Sequence, residues 1–450
     1  MAKSKTRFVC QECGFESLKW MGKCTSCNAW NSLVEEVVVK NDKNIIFSQN
    51  SEPKCIVNIK SGEHERYDTG IGELNRVLGG GLVRGSLTLI SGAPGIGKST
   101  LLLKSSNNIA EKYGKVLYVS GEESEEQIKM RSDRLSVNSN NLFILAETNM
   151  ETISLQIEKI KPVFVIIDSI QTVFNPVVSS APGSVSQVRE CANEIMRIGK
   201  NKGISFFIVA HVTKQGELAG PRVLEHMVDC VLSFEGERTE EFRILRTIKN
   251  RFGTTSEIGV FEMAEEGLLE VTNPSNVFLE ETNYKQEGSI VIGVMEGTRP
   301  ILVEVQALVS ETKAVMPRRT AIGVDSARLS LIIAVLEKKL KIPFYNCDVY
   351  VNVVGGLSID GTFADLGIAL ALISSIKNRE IKLDKTIVVG EIGLTGEVRP
   401  ISYCDRIVNE AAKMGFMNII VPSRNSDKIK QKNMGVHGVY TLKEAVNKVF

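Results

Sequence analysis

Gly92-Ala93-Pro94-Gly95-Ile96-Gly97-Lys98-Ser99 fits the pattern G-x-x-x-x-G-K-[ST] in full, with Thr100 following. In such a loop the glycines let backbone N–H groups close around phosphate oxygens, helped by the positive end of the next helix. Lys98 is placed to reach the β- and γ-phosphates, and the Ser99 hydroxyl to ligate Mg²⁺. The implied ligand is a nucleoside triphosphate, ATP, with Mg²⁺. A glycine turn with a chance Lys-Ser is the competing account. It is disfavoured by the apolar run Leu87–Ile90 before the loop and the helix-forming run Thr100–Lys104 after it.

Other residues supply the rest of a hydrolytic site. Asp168 ends the apolar run Val163–Ile167, where a partner carboxylate for the metal belongs. Gly121-Glu122-Glu123-Ser124 follows the apolar run Val116–Ser120. Hydrolysis needs a group that orients or deprotonates the attacking water, and either Glu122 or Glu123 suits that task. Acids favouring the next helix N-terminus are the rival explanation, and it suffices for Glu125 and Glu126. His211 ends Phe206–Ala210 and reads equally as a γ-phosphate sensor or as an ordinary strand-end histidine.

A second chemistry lies near the start. Cys10-x2-Cys13 and Cys24-x2-Cys27 are two knuckles ten residues apart. Four thiolates satisfy tetrahedral Zn²⁺ and leave no open position, so the metal is structural. Gly14 and Asn28 each follow a knuckle, and both residue types tolerate a left-handed turn. A redox dithiol pair is the alternative. Cys55, Cys191, Cys230, Cys347 and Cys404 are scattered and read as buried thiols.

These residues need elements to hold them. Residues 1–30 form the expected C4 zinc finger and carry both tryptophans, Trp20 and Trp30; 31–60 read as a linker with one strand. Residues 61–272 alternate strands (Ser86–Ser91, Lys115–Ser120, Phe164–Asp168, Ser205–Ala210, Cys230–Glu235) with helical runs. That alternation predicts an α/β fold with a parallel sheet and crossover helices. Residues 273–450 form a second α/β region, with strands at Leu302–Leu308, Val349–Val354, Thr386–Val389 and Asn418–Val421, and helices at 325–340, 362–377 and 402–413.

Composition narrows the class. Lys and Arg number 54 against 53 Asp and Glu, so no global basic field exists and nucleic-acid binding must be local. No secretory leader pattern and no 18-residue apolar run occur, which predicts a cytosolic protein without a membrane span.

Taken in order, the C4 knuckle, Gly79-Gly80-Gly81, the phosphate loop, Ser120–Ser124, His211-Val212-Thr213-Lys214 and Lys249-Asn250-Arg251-Phe252-Gly253 resemble the bacterial RadA (Sms) family of DNA repair proteins over essentially the whole chain. The resemblance implies a RecA-like ATPase core with a Lon-protease-like C-terminal domain. It further implies a homo-hexameric, helicase-like ring that acts on single-stranded and branched DNA beside a recombinase. On this reading Lys249 and Arg251, two apart in a strand, reach a neighbouring subunit's γ-phosphate; a solvated basic edge is the alternative. DNA contacts are expected from loops at 174–189 and 213–226, with Arg189, Lys214 and Arg222 as phosphate-binding charges. Lon proteases carry a nucleophilic serine where this chain has Asp365, and their lysine would fall near Asp405–Ile407. With both absent, an ATP-dependent protease is the disfavoured alternative, and the resemblance implies a fold kept as a scaffold. A nucleotide-driven regulatory ATPase of the KaiC type is the other rival. Lys338, Lys339 and Lys341 complement a helix C-terminus, while Arg318 and Arg319 stay open. Ala93 and Arg84 depart from the family's usual Asp and Pro without touching an expected catalytic role.

Overall fold

The computed structural model describes residues 5–12, 14–38, 55, 66–211, 223–236, 242–264, 267–279, 285–359, 361–429, 431 and 434–450. The chain divides into two compact units, Met1–Thr239 with Arg243–Glu270, and Glu240–Phe242 with Val271–Phe450.

The first unit opens with a three-stranded antiparallel sheet: β1 (Lys5–Cys10) pairs with β2 (Glu16–Ser17) and with β3 (Leu33–Val38). β3 lies in the segment expected to be a linker. It brings buried Leu33 against Cys10 and Cys24, and so supplies the apolar contact that two cysteine knuckles alone lack. Trp20 and Trp30 both stand exposed on this ribbon.

The rest of that unit is one mixed sheet. Its strands are β4 (Leu87–Gly92), β5 (Val116–Ser120), β6 (Leu142–Ala146), β7 (Phe164–Asp168), β8 (Ser205–His211), β9 (Cys230–Glu235), β10 (Phe242–Asn250), β11 (Ile258–Ala264) and β12 (Gly267–Glu270). They run in the order β12-β11-β10-β9-β4-β8-β7-β5-β6. From β9 to β6 every pairing is parallel. Crossover helices connect these strands: α1 (Lys98–Lys112), α2 (Glu125–Arg134), α3 (Met150–Ile160) and α4 (Val185–Lys202). The central strands are buried on both faces, which is why they read as unbroken apolar runs. Within β7, Phe164 and Ile166 join the core on one face while Val165 and Ile167 join the core on the other, the two-residue alternation of a pleated strand.

β6, β11 and β12 were not expected, and of β10 only the stretch around Lys249 was; Arg251, expected in the same strand, lies just past its end. β6 is an edge strand with half-buried residues, so its sequence lacks a strong apolar signal. β10 carries Arg243, Arg246, Lys249 and Asn250 and pairs antiparallel with β9, so it lacks the alternation with helices that marks a parallel pairing.

The second unit holds β13 (Ser289–Glu296), β14 (Arg299–Glu311), β15 (Arg319–Ile322), β16 (Cys347–Val353), β17 (Thr386–Val388), β18 (Asn418–Pro422) and β19 (Gly435–Val439), in the order β15-β16-β14-β13-β17-β18-β19. Around it pack α5 (Ser326–Val335), α6 (Asp365–Lys377) and α7 (Cys404–Lys413). The helix expected at 325–340 passes from α5 into a π-helical turn, Leu336–Leu340, and stops at Lys341, whose φ of 58° ends it in a left-handed cap. Asp365 is buried at the start of α6. Arg328 Nε donates to its Oδ1 at 2.8 Å, Arg328 Nη2 pairs with Oδ2, and the Ile392 amide donates to Oδ2 at 3.1 Å. A carboxylate clamped by a guanidinium and a backbone N–H has no nucleophile's role to play; here it ties α5 to α6.

Removing one partner of a buried pair leaves the other charge uncompensated, at a cost of roughly 3–5 kcal/mol. Arg328→Ala is therefore expected to lower the unfolding midpoint of the second unit by about that free energy, and Asp365→Asn by less, because Arg328 is partly solvated. Denaturant unfolding followed by circular dichroism reads both; equal small losses would show that the pair is not structural.

Candidate functional site

β4 ends at Gly92 and α1 begins at Lys98, with Gly97 as its N-cap at φ 114°. A Cβ on Gly97 would lie 2.6 Å from Leu268 Cδ1, and one on Gly92 would lie 2.8 Å from Phe234 Cβ, so neither position admits a side chain. No side chain caps α1 and no acid occupies its first turn. Its leading N–H groups are thus left to an anion. Gly92–Thr100 form one continuous loop and helix start, as the motif requires.

Lys98 is almost wholly buried. Its Nζ donates to the carbonyls of Gly92 (2.8 Å) and Ala93 (3.0 Å) and lies 3.5 Å from His211 Nδ1. Burial pulls its pKa down to about 8, against the attraction of Asp168 and Glu122. An ammonium folded back onto its own loop, beside an uncapped helix start, a hydroxyl and a carboxylate, is a donor set that fits a magnesium–nucleotide.

The parallel register brings the carboxylates to the same edge. Ser120 lies opposite Asp168, and Gly92 opposite His211, so the carboxyl ends of β5, β7, β8 and β4 form one crevice. Glu122 accepts from Ser169 Oγ at 2.6 Å and lies 3.1 Å from His211 Nε2. Glu123 turns away: it pairs with Arg131 on α2, and its backbone is pinned by Ser120 Oγ, which accepts from the Glu123 amide at 2.9 Å. Tyr118, fully buried, donates its hydroxyl to Asp168 Oδ2 at 2.5 Å; burial and that carboxylate keep the phenol protonated far above its ordinary range. Glu125 and Glu126 occupy the first turn of α2, behind a capping box of Ser124 and Gln127.

Lys249 and Arg251 lie elsewhere. Asn250 pairs with Cys230, which pairs with Thr88, so they sit at the opposite end of the sheet from Gly92. Thr88 to Gly92 at ~3.3 Å per residue puts about 13 Å between them and their own phosphate loop. Lys249 Nζ donates to the carbonyls of Glu225 (2.6 Å) and Val228 (2.8 Å), while Arg251 pairs with Asp229 at 3.1 Å.

Of the expected DNA contacts, Arg189 on α4 lies 3.9 Å from Glu16 of the ribbon, and Lys214 and Arg222 fall outside the described residues. The segment expected as a loop at 213–226 ends in a helix, Val223–Met227. Buried Gln187 organises the loop before α4: its amide donates to the carbonyls of Asn175 (3.2 Å), Val178 (2.9 Å) and Ser180 (2.9 Å) and accepts from the Asn175 N–H (2.8 Å). Tyr118, Ser169, Arg131 and Gln187 were not foreseen. Only Ser169, next to Asp168, carried a positional signal.

In the ribbon, the sulfurs of Cys10, Cys24 and Cys27 lie within 4.8 Å of one another, with Cys10 and Cys27 at 3.7 Å. A tetrahedron of ~2.3 Å Zn–S bonds has edges of about 3.8 Å. Gly14 (φ 73°) and Asn28 (φ 62°) adopt the expected left-handed turns, each donating its amide to the first cysteine of its knuckle at 2.9 Å. Cys13 lies outside the described residues. The donor set fits Zn²⁺. Cys191, Cys230 and Cys404 are buried thiols pushed up to about 12 by burial. Cys347 is buried too, whereas Cys55 is exposed, contrary to expectation.

Comparison with known proteins bears on all three parts. Residues 56–217 match the family model of an AAA domain, 8–35 that of a rubredoxin metal binding domain, and 304–425 that of subunit ChlI of Mg-chelatase. A DNA repair protein RadA from Halalkalibacterium halodurans is 55% identical over 94% of each chain; one from Bacillus subtilis is 52% identical over 99% of each. A KaiC-like protein from Pyrococcus horikoshii aligns at TM-score 0.40 and 18% identity, covering 46% of this chain and 99% of that one, too loosely to carry an argument. With a RecA-type ATPase core for ATP and Mg²⁺, a zinc ribbon before it and a ChlI/Lon-like domain after it, the chain belongs to the RadA family of DNA repair proteins.

Proposed function

We propose that the chain is a DNA-stimulated ATPase that works as a homo-hexameric, helicase-like ring. On this reading it promotes branch migration and strand exchange on single-stranded and branched DNA, beside a recombinase, in the cytoplasm. The observation that carries the reading is the chain of contacts from Lys98 through His211 to Glu122. His211 lies in the chain just before the segment 213–226 expected to meet DNA, and so links that segment covalently to the nucleotide crevice. A nucleotide-driven motor needs such a link.

In hydrolysis the Glu122 carboxylate accepts a proton as water oxygen attacks the γ-phosphorus and the bond to the β-phosphate oxygen breaks, leaving ADP and phosphate. Ser169 and His211 hold Glu122 in place for that step. Lys98 leaves the carbonyls of Gly92 and Ala93 for the phosphate oxygens. Ser99 and Asp168 would hold magnesium, which would supply neutralisation of the charge that grows on those oxygens. Lys249 and Arg251 cannot serve their own loop at about 13 Å. A ring that places each subunit's β10 end against the next subunit's crevice gives them a γ-phosphate to stabilise, as an arginine finger does.

Three measurements test this. Steady-state hydrolysis is expected to rise on adding single-stranded DNA and to vanish in Lys98→Ala; turnover indifferent to DNA would sink the motor and favour a regulatory ATPase that signals to protein partners. Glu122→Gln is expected to slow turnover by about 10²–10⁴-fold with ATP binding retained. Glu123→Gln should do far less, since Glu123 is engaged with Arg131, and a reversed ranking would move the base to Glu123. Arg251→Ala alone should lose on the order of 10³-fold, yet regain hydrolysis when mixed with Lys98→Ala, whose intact Arg251 completes the shared sites. Absence of any rescue would place Arg251 outside the neighbour's site.

A further inference from the structure

Asp229 is bonded through main chain and side chain to two different strands. Its Oδ2 accepts from the Leu87 N–H at 3.1 Å and its own amide donates to the Leu87 carbonyl at 2.9 Å, at the start of β4. Its Oδ1 accepts from Arg251 Nη1 at 3.1 Å, and its carbonyl accepts from the Arg251 amide at 3.0 Å. The carboxylate is largely enclosed, with 13% of its side chain exposed against 53% for Arg251. Behind Arg251, the Arg66 guanidinium gathers three carbonyls: Nη2 donates to that of Phe252 at 2.7 Å, and Nη1 to those of Leu78 (3.2 Å) and Gly81 (3.1 Å). The two loops meet so closely that a Cβ on Gly79 would lie 3.2 Å from Gly253 Cα.

We infer that Asp229 is a positioning residue for Arg251, holding its guanidinium ready for a neighbouring subunit's nucleotide, while Arg66 fixes the peptide behind it. The inference rests on the reading of Arg251 as an arginine finger for that neighbour.

The argument is one of preorganisation. A cation that stabilises transition-state charge is effective when it is already aimed, because reorienting it during the reaction costs part of what it contributes. A long arginine side chain on an unsupported turn would not be aimed. Its planar fork offers five N–H donors, of which Asp229 takes Nη1 on one side. The half-exposed guanidinium keeps its outer nitrogens for phosphate oxygens. Since the same carboxylate is tied to Leu87, the plane of Arg251 is referred to the first residue of the strand that leads into the subunit's own phosphate loop. An ordinary surface ion pair is the rival account. It explains the contact between Arg251 and Asp229, but an ion pair of that kind has both partners in water. Here the carboxylate is enclosed and shared with a backbone N–H, and a second arginine clamps the next peptide.

Asp229→Asn tests the inference with little disturbance of the fold: its Oδ1 can still accept from the Leu87 N–H, while its Nδ2 is a donor and cannot hold Arg251. Steady-state hydrolysis with single-stranded DNA should show kcat lowered about 10²-fold and KM for ATP unchanged, since the finger acts on transition-state charge alone. In the Arg251→Ala background the same change should add little; an undiminished further loss would mean that Asp229 acts independently of Arg251, and would overturn the inference. If Arg251→Ala itself leaves turnover intact, the finger reading fails and this inference with it. If Arg251→Ala loses turnover while a folded Asp229→Asn keeps the wild-type rate or exceeds it, the finger stands and the positioning role of Asp229 is refuted. Should Asp229→Asn not fold, Arg66→Lys keeps the charge but not the fork that gathers the carbonyls of Leu78, Gly81 and Phe252. It must then lower kcat with KM unchanged, and a wild-type kcat overturns the inference.

Discussion

An ammonium held out of water, bonded to two carbonyls and facing an imidazole, is the constraint around which the first unit is arranged. Lys98 has no carboxylate in direct contact among the described residues, and burial makes its charge costly enough to draw its pKa down to about 8. What makes the arrangement tolerable is the strand register. Because β4, β8, β7 and β5 run parallel and end together, Asp168 and Glu122 stand close enough to favour the charged form while remaining engaged with Tyr118, Ser169 and His211. The site is therefore poised for a ligand of negative charge, and each contact Lys98 now makes is one that phosphate oxygens can replace.

Much of this was legible in the residues. The phosphate loop carries its own backbone requirements, since glycine alone fits Gly92 and Gly97, and the apolar runs before Asp168 and His211 announce strands buried on both faces. The cysteine knuckles were equally plain, down to the left-handed turns at Gly14 and Asn28. What stayed hidden was whatever depends on tertiary direction. Glu122 and Glu123 are neighbours in sequence and alike in chemistry; only the position of Arg131, one helical turn and more along α2, pulls the second away from the crevice. Tyr118 reads as an ordinary strand residue until β7 is laid beside it. Of the antiparallel strands β10 to β12, β10 buries Arg243 where a simple pattern expects an apolar residue, and only its stretch around Lys249 read as strand.

The second unit shows the same logic in the opposite sense. Asp365 is a buried carboxylate at the start of α6, and the guanidinium that meets it makes it a fastening between α5 and α6. The strands and α6 depend on apolar packing, to which this pair adds a lock.

Both tryptophans of the chain stand exposed on the zinc ribbon, and the ATPase core and the second unit contain none. Indole emission from the whole molecule therefore originates in that one small sheet. The core is optically silent at those wavelengths, so whatever approaches the ribbon is seen against no background, and events confined to the nucleotide crevice leave the signal still unless they reach the ribbon through Arg189 and Glu16.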